Sequence, residues 1–277
     1  MICKICKSRN VSFCFKKSAK QFYKCNACGV LFQFPNKSTH KIYKEAYYSN
    51  SERKPNQFIN YFTEQKNSRI LKQIKKYKQT GTLLDIGAGY GLFVKNAKED
   101  RFNAFGIEPN AHAVAYAYKK LKIHLSHGFF SKKSFTDGRF DVITAFHVIE
   151  HTSDPVQFIK DIRNKLLDNG LLVIETPNIA SVNARLMKKR WPFIIPDEHL
   201  FLFSQKSLNY ILKRNGFRSI YSQRIGPFIH IKRNDGITNE IRSQKPSWKM
   251  KNIKAAYDFM SKNLMLGDHI LMIFEKV

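Results

Sequence analysis

The sequence is short of acidic side chains: 21 Asp and Glu stand against 48 Lys and Arg, a formal net charge of +27. It also lacks any apolar run near the roughly 20 residues needed to cross a bilayer. Met1-Ile2-Cys3-Lys4-Ile5-Cys6 has no apolar core followed by a cleavage site, so no secretory signal is expected and the cytoplasm is the expected location. No internal repeat and no low-complexity tract interrupts the 277 residues, so one large domain with a small appendage is expected. The acid deficit invites a nucleic-acid partner. Lysine outnumbers arginine, however, and is spread along the chain, including the solvent-facing helical positions Lys72, Lys75, Lys76 and Lys78. Such a distribution describes a solvated surface more readily than a phosphate-binding patch.

Cysteine is scarce, and four of the five are paired as Cys3-x-x-Cys6 and Cys25-x-x-Cys28 across an 18-residue loop. The spacing predicts a tetrahedral thiolate site, with alternating segments Val11–Phe15 and Gln21–Lys24 forming the hairpin of a zinc ribbon. Disulfides are disfavoured in a reducing compartment. Iron is the competing ion for the same ligands. Four thiolates leave no open coordination position, so the expected role is structural. Cys14 lies outside the pairs and reads as a buried strand residue.

The most informative segment is Leu83-Leu84-Asp85-Ile86-Gly87-Ala88-Gly89-Tyr90-Gly91. Gly87, Gly89 and Gly91 strip side chains from a strand-to-helix turn, so the backbone itself becomes a binding surface. A dinucleotide turn has the spacing G-x-G-x-x-G and offers helix amides to a pyrophosphate. Here the spacing is G-x-G-x-G, and Asp85 would repel phosphate but suit an ammonium or sulfonium group. Glu108 ends the next expected strand, where an acid can accept both ribose hydroxyls. Together these residues resemble the S-adenosylmethionine site of class I methyltransferases.

Strand and helix alternate through the core: strands at 82–86, 103–107, 122–126, 140–146 and 171–176, helices at about 91–100, 110–120 and 154–167. One or two helices over 59–79 precede them, and a helix from Ser204, a strand from Phe217, a helix around 253–263 and a strand at 270–274 follow. The helix after Asp154-Pro155 is expected to stop at Asn169-Gly170. The expected fold is α/β, a Rossmann-like seven-stranded, mostly parallel sheet with an antiparallel final hairpin. The expected division is ribbon 1–34, connector 35–60 with Tyr43, Tyr47 and Tyr48, and catalytic domain 61–277.

Strand carboxyl ends border the ligand crevice in such a sheet, which brings His147, Glu150 and His151 beside the cofactor's methyl group. Pro196-Asp197-Glu198-His199 forms a second polar cluster after Trp191-Pro192-Phe193. The loop from Lys188 to Pro196 is the candidate lid over the acceptor, and Trp191, Phe193, Phe201 and Phe203 read either as its pocket or as core.

Phe140-Asp141, Val148-Ile149-Glu150-His151, Asp154-Pro155, Glu175-Thr176-Pro177-Asn178 and Glu198-His199, in that order, resemble a bacterial group of class I methyltransferases close to the ubiquinone-biosynthesis and sugar methyltransferases. Many members carry an N-terminal four-cysteine zinc ribbon. The resemblance implies S-adenosylmethionine held by Asp85, Gly87, Gly89, Gly91, Glu108 and His147, and a small-molecule, carbohydrate or lipid-precursor acceptor. Many relatives place an Asp after the third strand against adenine; Gly128-Phe129-Phe130 stands here instead, which leaves backbone amides and Phe129 packing to hold the base. O-methylation wants a base, and His151 or His199 is the expected one. The alternatives are an RNA 2′-O-methyltransferase in which His147, Glu150, His151 and His199 hold a second metal, and a silent cofactor-binding scaffold that recruits a partner through the ribbon.

Overall fold

A computed structural model of the chain describes residues 1–35, 57–136, 138–226 and 267–277. Most of the expected connector and the expected helix around 253–263 lie outside these residues.

Two sheets organise the described residues. The larger contains β4 (Gly81–Ile86), β5 (Phe102–Glu108), β6 (Ser126–His127), β7 (Phe140–Phe146), β8 (Leu166–Pro177), β10 (Phe217–Ile225) and β11 (His269–Lys276), in the order β10-β11-β8-β7-β4-β5-β6. The strands from β8 to β6 run parallel, and β11 enters antiparallel between β8 and β10. This is the expected seven-stranded sheet with its antiparallel final hairpin. The helices are α1 (Gln57–Ile74), α2 (Leu92–Glu99), α3 (Ala111–Tyr116), α4 (Pro155–Lys165), α5 (Val182–Met187) and α6 (Gln205–Lys213).

Because strand side chains alternate between faces, the sheet makes two cores. Leu83, Val142, Leu171, Val173, Leu271 and Ile273 meet Ile70, Leu71 and Ile74 of α1 and Phe93 and Val94 of α2. Leu84, Ile143, Ala145, Leu172, Ile174, Ile270 and Met272 meet α4 and α6 on the opposite face, together with Cys3, Cys25, Cys28 and Phe32 of the N-terminal segment.

That segment forms β1 (Val11–Lys17), β2 (Lys20–Cys25) and β3 (Leu31–Phe34), as the alternating pattern predicts, but its sheet does not close on itself. β3 pairs antiparallel with β9 (Phe201–Leu202), so the ribbon and the larger domain share a four-stranded sheet. Gln33 N–H donates to the Leu200 carbonyl at 3.1 Å, Gln33 Oε1 accepts from Asp197 N–H at 3.1 Å, and Lys20 pairs with Asp197 at 2.6 Å. The ribbon thus braces the loop that carries His199.

Three local expectations are corrected. Cys14 is exposed, because β1 is an edge strand and its register shifts between Phe13 and Phe15. The strand expected at 122–126 shrinks to Ser126–His127: Lys122 takes φ 57°, and Ile123 donates its N–H back to the Ala117 carbonyl, so this stretch finishes the preceding helix. The helix from Pro155 stops at Lys165 rather than Asn169-Gly170, since Leu166 already pairs with Phe140 and β8 starts there.

Candidate active site

β4 ends in the glycine turn because its amides have partners there: Gly87 and Ala88 N–H both donate to the Ile107 carbonyl, at 2.9 and 3.1 Å. Gly87, Gly89 and Gly91 take φ of 71°, 51° and 79°, the left-handed region that favours glycine. A Cβ on Gly87 would stand 2.7 Å from Val148 Cγ2, whereas a Cβ on Gly89 would meet nothing within 4 Å. The turn is therefore packed from below at Gly87 and open at Gly89, where a ligand can approach the backbone.

The two expected acids flank this opening. Asp85 is 3% exposed and accepts from Thr144 Oγ1 at 2.6 Å. Burial pushes its pKa up to about 7, with Glu108 adding repulsion and the Thr144 hydroxyl opposing it. Glu108 Oε2 accepts from Gly89 N–H at 2.8 Å and Oε1 from Asn110 N–H at 2.9 Å. Burial raises its pKa as well. Two buried acids with raised pKa values beside an open glycine turn form a site that gains from a bound cation and from hydroxyl donors. Phe129 lies past β6, which pairs with Ile107 and Glu108, and is 44% exposed.

The polar cluster of β7 divides into two groups. The first is Glu150, His151 and His199, whose candidate ligand atoms lie within 4.8 Å of one another. All three are buried. His151 Nδ1 donates to the Glu198 carbonyl at 2.9 Å and His199 Nδ1 to the Phe193 carbonyl at 2.7 Å, the rings meeting edge to face at 4.8 Å. A carbonyl only accepts, so each ring donates from Nδ1 and, when neutral, carries its lone pair on Nε2. Burial drives the His199 pKa down to about 4, and His151 adds to the effect. Glu150 is held ionised at about 2: burial opposes this, and the hydrogen bond from His147 with the neighbouring imidazoles outweighs it. A carboxylate and two imidazole lone pairs fit a divalent cation.

His147 does not join that group's ligand set. It takes φ 56°, a left-handed conformation unusual for a side-chain-bearing residue, and about a third of its side chain is exposed. Nδ1 meets Glu150 Oε1 at 3.3 Å and Nε2 meets Glu175 Oε1 at 3.2 Å. Burial disfavours its charge, yet the two carboxylates raise its pKa to about 9. The second group is accordingly His147, Glu175 and His269.

The candidate lid is not an open flap. Trp191 is fully buried, and Ser181 Oγ, Asn183 Nδ2 and Trp191 Nε1 all donate to Asp268, at 2.6, 2.9 and 3.1 Å. Phe201 and Phe203 are core residues, and Phe193 is packed on the His269 ring at 4.7 Å.

The sequence reading missed Lys66, Glu175, Asp268 and His269 as site residues. A signal existed for two of them: Glu175 interrupts the apolar run Leu171–Ile174, and Asp268-His269 opens the apolar strand Ile270–Phe274.

At the N-terminus the four paired cysteines converge, with Cys3 Sγ 3.7 Å from Cys28 Sγ and Cys6 Sγ 3.4 Å from Cys25 Sγ. The hydrogen bond from Cys28 lowers the Cys3 thiol to about 5, and the same contact raises Cys28. Four sulfurs at this spacing fit a tetrahedral ion. Among the described residues, no helix is long and apolar enough to cross a membrane.

A family model described as a methyltransferase domain matches residues 56–222. A ubiquinone biosynthesis O-methyltransferase of Bradyrhizobium diazoefficiens is 30% identical over 137 residues, covering 42% of this chain and 53% of the relative. One of Pelagibacter ubique is 27% identical over 181 residues, covering 61% of this chain and 69% of the relative. The match thus spans about half the length of the first of these relatives. Among solved structures, a SAM-dependent methyltransferase from Archaeoglobus fulgidus shares the fold at TM-score 0.54 and 20% identity, covering 77% of this chain and 94% of that one. A possible histamine N-methyltransferase from Thermotoga maritima does so at TM-score 0.52 and 16% identity, covering 83% and 97%.

Proposed function

Since the chain belongs to the methyltransferase-domain family, we propose that it transfers a methyl group from S-adenosylmethionine to a small-molecule, carbohydrate or lipid-precursor acceptor. The observation that carries this reading is the pairing of buried Asp85 and Glu108 across an open Gly89. Asp85 would receive the ammonium of the donor's amino acid moiety, and Glu108, already anchored on the Gly89 and Asn110 amides, its ribose hydroxyls. Phe129 and the backbone after β6 would pack the adenine. When bound, the donor supplies a sulfonium methyl group and its leaving group together, so the chain's task is to orient the acceptor and manage its proton.

Glu150, His151 and His199 are proposed to border the acceptor and to accept hydrogen bonds from its hydroxyl groups. The low basicity of His199 suits a lone-pair donor better than a proton carrier at neutral pH. The same trio favours a second reading, in which a divalent cation held there fixes the acceptor, as an RNA ribose methyltransferase would require. Its ligand set would be these three residues without His147.

Isothermal titration with S-adenosylhomocysteine tests the first reading: one site per chain is expected, and no binding to protein with its cysteine site filled would overturn it. Full turnover after chelation that leaves the ribbon ion in place would remove the cation reading alone.

A further inference from the structure

Asp85, Thr144, Glu175 and His269 belong to one face of the large sheet. Each continues the alternating positions whose apolar members, Leu83, Val142, Val173 and Leu271, pack under α1 and α2. Thr144 stands opposite Asp85, Glu175 opposite Phe146 and His269 opposite Pro177, so these polar positions step outward along the carboxyl edge from the proposed donor site on β4 across β7 and β8 to β11. Adjacent strands are about 4.8 Å apart, so His269 stands three strand spacings, about 14 Å, from β4 along that edge.

Glu175 organises this end of the row. It is 1% exposed; Oε1 meets His147 Nε2 at 3.2 Å and His269 Nδ1 at 3.3 Å, and Oε2 pairs with Lys66 Nζ at 2.8 Å. Two carboxylates, Glu150 and Glu175, face the Lys66 ammonium and the His147 imidazolium, so charge is balanced with His269 neutral. A neutral imidazole that donates from Nδ1 carries its lone pair on Nε2. His269 Nε2 is buried, and among the described residues it has no hydrogen-bond partner. An unmade bond at a buried polar atom costs about 1–3 kcal/mol. Its persistence here points to a ligand that completes it.

We propose that His269 is the general base that removes the acceptor's proton, with Glu175 as the positioning residue that fixes its tautomer. This rests on the methyl-transfer reading. The acceptor's O–H proton passes to Nε2, the oxygen lone pair closes the O–CH3 bond, and the S–CH3 electron pair stays on sulfur as the sulfonium becomes a thioether. Glu175 lies against the imidazolium so formed, and the proton then leaves to solvent. The groups facing His269 are Glu175, His147 and Lys66, with Asp268 beside it in the chain. Burial lowers its pKa from the ordinary imidazole value, more than Glu175 restores, so the ring is unprotonated at neutral pH.

Two measurements on the full chain decide the matter. Nitrogen NMR of the S-adenosylhomocysteine complex needs no acceptor: His269 is expected neutral at pH 7.5 with its proton on Nδ1, a preference that Glu175→Gln weakens. A proton on Nε2, or a charged ring at that pH, overturns the proposal. With catechol as hydroxyl probe, His269→Asn is expected to lower kcat by about 100-fold or more, leaving S-adenosylhomocysteine affinity and the KM for S-adenosylmethionine within two-fold. The remaining acid-side pH dependence of kcat should be lost as well. A variant that keeps kcat within three-fold refutes the assignment. Absence of S-adenosylhomocysteine binding to the wild-type protein refutes instead the methyl-transfer reading on which it stands.

Discussion

One carboxylate in this site is buried at a cost that the Thr144 hydrogen bond and the Lys66 charge do not offset. Asp85 has an ordinary pKa near 3.9 in the unfolded chain and about 7 when folded. Between those values the unfolded state has released its proton while the folded state still holds it, so rising pH favours unfolding across that window and no further above it. Asp85→Asn is expected to remove this slope and to raise the melting temperature of the ligand-free protein at pH 8, by an amount bounded by about 4 kcal/mol. The Thr144 hydroxyl can still donate to the amide oxygen. The same variant should lose S-adenosylhomocysteine binding, and affinity of the wild type should fall below pH 7 as Asp85 protonates. Calorimetry with differential scanning checks both; an Asn variant that binds within two-fold of wild type would remove the ammonium role. His147 shows the opposite economy, since two carboxylates keep its charge despite burial.

Among the elements, the start of β11 matters more than its sequence suggests. Asp268 collects three donors from α5, its cap and the Trp191 loop, and so welds a strand beginning to a segment far back in the chain. Asp268→Ala leaves those buried donors unmatched and is expected to destabilise the fold by about 3 kcal/mol or more, measurable as a lower denaturant midpoint. The β4 turn, β5, β7, α4 and the final hairpin were legible in the sequence because each has a local signal: glycine spacing, alternation, or an Asp-Pro cap that the structure realises with Asp154 accepting from Gln157 N–H. The strand expected at 122–126 and the end of α4 were not, since a left-handed Lys122 and the pairing of Leu166 with Phe140 are settled by tertiary partners. Asp85, Glu108, His151 and His199 could be named from motifs. The grouping of His147 with Glu175 and His269 could not, because those two come from strands that meet only in the folded sheet.

At the level of the whole molecule, the N-terminal segment is part of the large domain's core. Cys3, Cys25 and Cys28 pack in one cluster with Leu84, Ile149 and Phe201. An ion held by the four cysteines is therefore expected to stabilise the entire domain. Protein as purified should carry one zinc, or iron, per chain, and Cys25→Ser should lower the melting temperature by roughly 10 °C. Atomic emission and scanning calorimetry measure the two; a Cys25→Ser protein that melts as wild type would mean the segment folds apart from the domain. Loss of the ion should also weaken turnover more than donor binding, because the ribbon braces the His199 loop through Gln33 and Lys20, and touches neither Asp85 nor Glu108 in these contacts.

The pairing of β3 with β9 also sets an order of events during synthesis. Phe32 lies opposite Phe201 across the sheet, so about 170 residues must emerge from the ribosome before β3 finds its neighbour. Until then an apolar strand edge stands open in a nascent chain, the state in which sheets associate wrongly. Early capture of an ion by the cysteines would close the hairpin at once and hold that edge in shape until its distant partner arrives.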